Sequence, residues 1–598
     1  MNENSSAACA CRNLHFSCNV ATCKLAQYAN RTGNASLKQY RRCATEGGCQ
    51  TCLTVVNALL IPEIKSVWQD SIAQALLSGH PRTIPGIAED EEEIEITVET
   101  PQSLTGGWFL RTGASHVSLH WRHFDLWQDP AMDSYKRQEG QVRVIDTEEG
   151  AKGRYMTLSH RWGANETFKL TKANVLSMKQ NMPWNSIPKV YQDAIRITRE
   201  LQINYIWIDS LCIIQDDLGD WKRESIRMRT VYGNSYLNIA GCHARESSGD
   251  LFSLSNLTNR FPTHSVPGSV AKYIRQQPHW THTDYGSSYT DRNNQQVLLN
   301  RGWVLQERLL SPRIVYYDAD ELKWECNMTT DCQCGGMNVI KNFKVDYVAA
   351  LEGSRGPGSL PVIWMLLVQR YSRLGLTYDT DRVVALAGIA DQALKSGYGG
   401  RYLAGLWEDN FAYQLCWWIN DTHRKVETYL APSWSWLSVS GAVNFVLDAS
   451  RYDTASFAVE IIEAECTTAN SQTGAVTGGF LKINGKWIRL LASIYDLGSE
   501  TKPPSYRLVH AETGIEFSVL FEADYIMSAE QVTTVQNVFV LFWGVFEGGR
   551  YAFILLKQLS RDEERFERLG IWWHYKETQH ETNQLLNILQ DRKVIIIV

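Results

Sequence analysis

Between residues 155 and 241 the chain alternates strand, helix, strand, helix, strand, and this order restricts the fold more than any other feature. YMTLS (155–159) is a short apolar run. SIPKVYQDAIRITRELQ (186–202) follows, with Val190, Ala194, Ile197 and Leu201 on one helical face. Ser186 is its expected cap, and Pro188 suits its first turn. YIWID (205–209) is a second strand, DWKRESIRMRTVY (220–232) an amphipathic helix with Trp221, Met228 and Tyr232 on one stripe, and SYLNIAG (235–241) a third strand. Such alternation predicts an α/β fold around a doubly wound parallel sheet. Ligands of such sheets bind at the carboxyl ends of the strands. There the sequence places HRWG (160–163), Asp209 with Ser210, and Gly241.

The 598 residues exceed one hydrophobic core and imply about three or four domains. Residues 1–80 read as a Cys-rich, mainly helical leader. Residues 81–142 read as an acidic linker with β segments at IEITV (94–98) and HVSLHW (116–121). The α/β core spans 143–320. Its insert at 242–298 reads as polar loop, followed by a short helix (301–310) and the strand RIVYYD (313–318). Residues 321–440 form a helical middle region, from PVIWMLLVQRYSRLG, VVALAGIADQAL and AYQLCWWI, with a turn at PSWSW (432–436). From 441 to 598 strands dominate, predicting a C-terminal antiparallel β-rich domain, a sandwich or barrel-like layer. The 21 Trp residues predict layers packed on aromatic rings.

A net charge of −6 gives no electrostatic reason to expect nucleic acid or an anionic membrane as partner. The apolar runs VFVLFWGVF (538–546) and VIIIV (594–598) are too short to be transmembrane helices. The start, MNENSSAACACRN, has no basic region followed by an apolar run, so a cytoplasmic chain with reduced thiols is expected. Seven Cys lie in the first 52 residues. Cys49 and Cys52 make a CxxC pair, and Cys18 and Cys23 would complete a tetrahedral zinc set. The competing reading is a set of reduced, packed thiols. His116, His120 and His123 alternate along a strand that would put His123 on the face opposite the other two, which suits hydrogen bonding better than a metal.

Three blocks, YMTLSHRWG, DAIRITRELQINYIWIDSLCIIQDDLGDWKRE and RGWVLQERLLSPRIVYY, closely resemble the motif blocks of the fungal heterokaryon incompatibility (HET) domain. GLW (405–407) and PSWSW look like segments that follow it. The resemblance implies a role in non-self recognition and programmed cell death. A more distant resemblance, to TIR domains, implies a TIR/flavodoxin-like core. LSHRWG matches the end of the first TIR strand, YIWID the second strand, and Trp303 with Glu307 the WxxxE pattern that carries the glutamate of NAD-cleaving TIR enzymes.

Residues four apart share a helix face, so Trp303 and Glu307 can set a carboxylate beside a ring. Cleavage of the nicotinamide–ribose bond passes through an oxocarbenium-like state, as in glycoside hydrolysis, and one carboxylate can stabilise it. The resemblance thus implies Glu307 as catalytic carboxylate, with Ser159, Arg161, Trp162, Asp209 and Trp303 binding substrate. NAD would be the substrate, and no cofactor is required. The alternative for Glu307 is a structural ion pair with Arg301, Arg308 or Arg313. Cys212 reads as an inert buried thiol, and Glu224 as a helix-face charge. At the level of the whole protein the alternative to an NAD hydrolase is a non-catalytic death adaptor, which assembles with itself or with other signalling chains through its TIR-like surface.

Overall fold

The structure is a computed structural model. It describes residues 141–251, 298–446 and 455–598 apart from short stretches inside those ranges. Strand segments at Thr32–Ser36, Glu95–Glu99, Trp108–Gly113, His123–Gln128, Arg260–Pro262 and Lys272–Gln277 are described as well. Cys18, Cys23, Cys49 and Cys52 lie outside the described residues, as does the strand read at 116–121.

The first apolar run forms β1 (Tyr155–Ser159), one strand in from the edge of a six-stranded sheet. β1 pairs in parallel with β2 (Tyr205–Ile208) on one side and β3 (Leu237–Ala240) on the other. β3 pairs in parallel with β4 (Arg313–Tyr317), and β5 (Leu322–Cys326) and β6 (Thr330–Cys332) add antiparallel edges. The order is therefore β6-β5-β4-β3-β1-β2. The chain leaves β1 toward β2, then crosses back to β3. Its direction of winding reverses between β1 and β3, where open α/β sheets leave a crevice.

Both faces of the sheet are covered. Successive strand side chains alternate faces. Met156 and Leu158 pack with Val190, Tyr191 and Ala194 of α1 (Lys189–Glu200). On the opposite face, the Tyr155 hydroxyl donates to the Val231 carbonyl of α2 (Leu218–Gly233) at 2.7 Å. There Met228 and Tyr232 join Leu305 and Leu309 of α3 (Gly302–Leu310) in one core. Two helix starts differ from expectation. Pro188 takes the cap position of α1, while the Ser186 hydroxyl turns back to the Pro183 carbonyl at 2.7 Å. Asp217 caps α2 by accepting from Gly219 N at 2.9 Å, so the helix begins at Leu218 rather than Asp220.

The middle region supplies α4 (Phe343–Leu351), α5 (Ser359–Tyr371) and α6 (Asp381–Lys395). AYQLCWWI is only one helical turn, Phe411–Gln414, followed by an extended pair of residues, Trp418–Ile419, bonded to Val443–Asn444. Tertiary partners outweigh its helical pattern: Trp417 Nε1 donates to the Trp434 carbonyl at 3.0 Å, and Gln414 brackets the Trp407 backbone. PSWSW forms the expected turn, and the turn is buried in the core. Trp364 and Trp436 both donate to the Gly405 carbonyl, at 2.8 and 3.0 Å. Gly405 has φ +90°, and a Cβ there would stand 2.9 Å from Trp436 Nε1.

The C-terminal part is one ten-stranded, mostly antiparallel sheet. Its backbone is β8 (Val476–Asp496), flanked by β7 (Glu460–Thr468), β9 (Val538–Phe546) and, further along the chain, β12 (Arg592–Ile597). β10 (Arg550–Gln558) and β11 (Arg565–His574) complete this layer. β11 carries a buried charge, Arg568, which pairs with Asp524 at 2.8 Å and lies over the Trp417 ring at 3.8 Å. One hydrophobic cluster runs from Met228 to Ile597, so this sheet, the middle helices and the α2/α3 face share a core.

The insert read as loop contributes strands Arg260–Pro262 and Lys272–Gln277. They extend an antiparallel sheet begun by Thr32–Ser36, where a helical leader was expected, and continued by Glu95–Glu99, Trp108–Gly113 and His123–Gln128. No helix among the described residues is long and apolar enough to cross a membrane.

Candidate functional site

The end of β1 distributes two side chains to two faces. Ser159 faces α2 and α3, and His160 faces α1, as strand alternation requires. On the α1 side His160 Nε2 meets the Tyr191 hydroxyl at 2.8 Å, which meets Ser210 Oγ at 2.9 Å. Asp209, where β2 passes into the helical turn Asp209–Cys212, is held from several directions. It accepts from Trp162 Nε1 at 3.0 Å and from Ser210 N at 2.7 Å, and its Oδ1 lies 3.7 Å from His160 Nδ1. Its side chain keeps 25% exposure, so it is fixed yet open to solvent.

On the other face sits Glu307, in the last turn of α3 and only 6% exposed. Burial pushes its carboxyl up to about 7; the Ser159 hydroxyl, the Arg301 guanidinium and the Tyr232 hydroxyl pull it down, and Asp209 pushes it further up. Glu307 Oε2 is buried without a hydrogen-bond partner among the described residues. Tyr232 is itself raised, by burial first and by the Glu307 and Asp209 charges next.

The three arginines expected around Glu307 go to different places. Arg308 makes a buried two-point bond to Glu325, at 2.8 and 2.6 Å, and Tyr316 donates to the same carboxylate at 2.5 Å. Arg313 donates to the Tyr236 carbonyl at 3.1 Å and stacks on its ring. Arg301 donates to the His160 carbonyl at 2.9 Å. No salt bridge to Glu307 forms among the described residues, so the structural ion pair of this helix belongs to Arg308.

Ser159, Asp209 and Glu307 thus converge at the strand ends, with Trp162 hydrogen-bonded to Asp209. Arg161 is exposed and has no hydrogen bond or ion pair among the described residues. Trp303 turns elsewhere: it meets Trp221 of α2 edge-on at 6.5 Å and donates to Asp381 of α6 at 3.2 Å. Cys212 is half-buried, and burial pushes its thiol up to about 12. Glu224 pairs with Arg227 at 2.9 Å on the surface of α2. The His160–Tyr191–Ser210 chain and the hydroxyl of Tyr232 were not singled out as site groups from the sequence. They belong to separate elements, and no local spacing links them.

Neither the curated proteins nor the solved structures contain a match to the chain. A family model does match: residues 155–307 fit that of the heterokaryon incompatibility protein (HET), from the first residue of β1 to the buried glutamate of α3. The match points to a role related to heterokaryon incompatibility and cell death. A heterokaryon incompatibility-type domain therefore occupies residues 155–307 of this chain.

Proposed function

We propose that the HET-type domain is the signalling core of a cell-death protein and that it hydrolyses NAD at the nicotinamide–ribose bond, with Glu307 as its carboxylate. One observation carries this reading: Glu307 is buried beside the strand ends, one Oε lacks a partner, and the neighbouring Arg308 already serves the structural ion pair. Strongly perturbed carboxyls and buried polar atoms without partners concentrate at functional sites. The strand order β2-β1-β3-β4 is also that of flavodoxin-like sheets, whose ligands sit at the reversal point. That order supports the TIR-like relationship on which the choice of NAD rests.

In this reaction the C1′–N bond breaks and its electron pair passes to the ring nitrogen, releasing neutral nicotinamide. Positive charge then develops at C1′, facing Glu307. Low-dielectric surroundings strengthen that attraction, provided that the carboxyl is ionised. Water adds to C1′ and gives its proton to solvent. Asp209, fixed by Trp162 and Ser210 and still open to solvent, takes a ribose hydroxyl. Arg161 meets a phosphate, and Ser159 orients the Glu307 carboxylate.

The adaptor reading has one observation in its favour, the 6% exposure of Glu307, which leaves little room for a ligand in this conformation. The two readings separate in one experiment. Purified protein and Glu307→Gln are incubated with NAD, dilute and after enforced self-association, and nicotinamide is quantified. Release by the wild type alone, with both proteins equally folded, is the enzymatic outcome. No release in any state leaves the adaptor.

A further inference from the structure

The family match stops at residue 307, yet the helix that carries Glu307 is fastened mostly by residues beyond it. At the N-terminus of α3, Gly302 N donates to the Gly375 carbonyl at 2.9 Å, and Gly375 N donates to Asn300 O at 2.7 Å. At its C-terminus Lys344 of α4 donates to the Arg308 carbonyl at 2.9 Å and also to that of Ser311. Along its flank, Trp303 donates to Asp381, and Gln306 Oε1 accepts from Gly388 N of α6 at 2.9 Å. Arg229 of α2 and Asp391 of α6 close the same seam as an ion pair.

We propose that Gln306 is a positioning residue for Glu307, and that helix α6 sets the carboxyl through it. Gln306 is 1% exposed, and its Nε2 has no partner among the described residues, so the bond to Gly388 N is what anchors the amide. A side chain beside Gly388 has no room. A Cβ there would stand 2.5 Å from Gln306 Oε1 and 3.1 Å from Arg229 Cβ. The only cheap relief is to displace the Gln306 amide, which breaks its bond and turns the adjacent residue. α6 is therefore a handle by which the downstream region, and whatever binds it, can move Glu307. This inference rests on the reading of Glu307 as the functional carboxylate, and its test is arranged to fail separately from that reading.

The test follows the protonation midpoint of Glu307, which needs no substrate. In each background, stability is measured from pH 5.5 to 8 against the matching Glu307→Gln protein, and the midpoint is the pH at which the difference levels off. The charged or titrating groups facing Glu307 are Asp209, Arg301 and Tyr232, and the full-length protein retains all three. Gln306→Ala and Gly388→Ala are each expected to admit water and lower the midpoint by about one unit or more. The double variant is expected to match Gln306→Ala alone, because the added methyl then has no amide to displace. Midpoints that stay at the wild-type value while melting temperature falls would assign Gln306 a merely structural role and overturn the proposal. So would additive shifts. If Gly388→Ala does not fold, Gln306→Met, which keeps the length of the side chain but cannot accept from Gly388 N, takes its place and should lower the midpoint too. Midpoint shifts without nicotinamide release from any variant would remove the NAD activity and leave the positioning role standing.

Discussion

Replacing Glu307 with Gln should stabilise the protein, and the gain should grow with pH. In the folded chain burial holds this carboxyl up to about 7, against an ordinary value of 4.5. Below pH 4.5 both folded and unfolded forms keep the proton, so ionisation contributes nothing. Between 4.5 and 7 the unfolded chain has lost its proton while the folded chain retains it, and wild-type stability falls as pH rises. Above 7 both are ionised and the loss is complete. Each unit of difference is worth about 1.4 kcal/mol, so the gap is about 3 kcal/mol at pH 8. Glutamine has nearly the same shape and cannot ionise, so the variant escapes that loss. Denaturant unfolding of both proteins from pH 5.5 to 8 reads the difference directly. A difference that widens by about 2 kcal/mol over that range fits the buried acid. A flat difference, or a variant destabilised at every pH, would mean that Glu307 ionises normally in a paired or wet setting, and the reasoning would fail.

Ser159→Ala removes a hydroxyl that favours the ionised form of Glu307, so the protonation midpoint should rise by about one pH unit in the same unfolding series. Asp209→Asn removes a charge that disfavours ionisation, so the pH profile of nicotinamide release should shift to lower pH even where its maximum falls. Arg308→Met leaves Glu325 buried without its cation and should destabilise the fold by about 3–5 kcal/mol, measured by unfolding at pH 7.

Much of the α/β core was legible because its strands are apolar runs that end in polar residues. YMTLS closing on HRWG and YIWI closing on Asp209 declare both the sheet and the edge where ligands gather. The helix with Glu307 was legible for the same reason, since periodicity needs only neighbours. What Glu307 faces was not. Arg301, Arg308 and Arg313 look alike along the chain, and only the partners chosen in space, His160, Glu325 and Tyr236, tell them apart. Gln306 and Gly388 are 82 residues apart, beyond any spacing rule. AYQLCWWI misled because helical periodicity and a row of buried tryptophans produce the same pattern over so short a run. Arg260–Pro262 and Lys272–Gln277 were missed because RFP and KYIRQQ have too few apolar residues to alternate. β11 interrupts its apolar run with Glu567 and Arg568, a charge that acquires its reason only when Asp524 and the Trp417 ring close on it.

The most direct measurement is the proton balance on binding a carbocyclic NAD analogue, which keeps the cationic nicotinamide ring but cannot be hydrolysed, taken by calorimetry at pH 7 in buffers of different ionisation heat. A carboxyl poised near 7 is about half protonated there, and pairing with the cationic nicotinamide ring should ionise it, releasing about half a proton per analogue bound. The account predicts that release in the wild type and none in Glu307→Gln. Equal proton release by the two proteins, or none by the wild type as the analogue binds, would contradict the placing of Glu307 at the centre of the site.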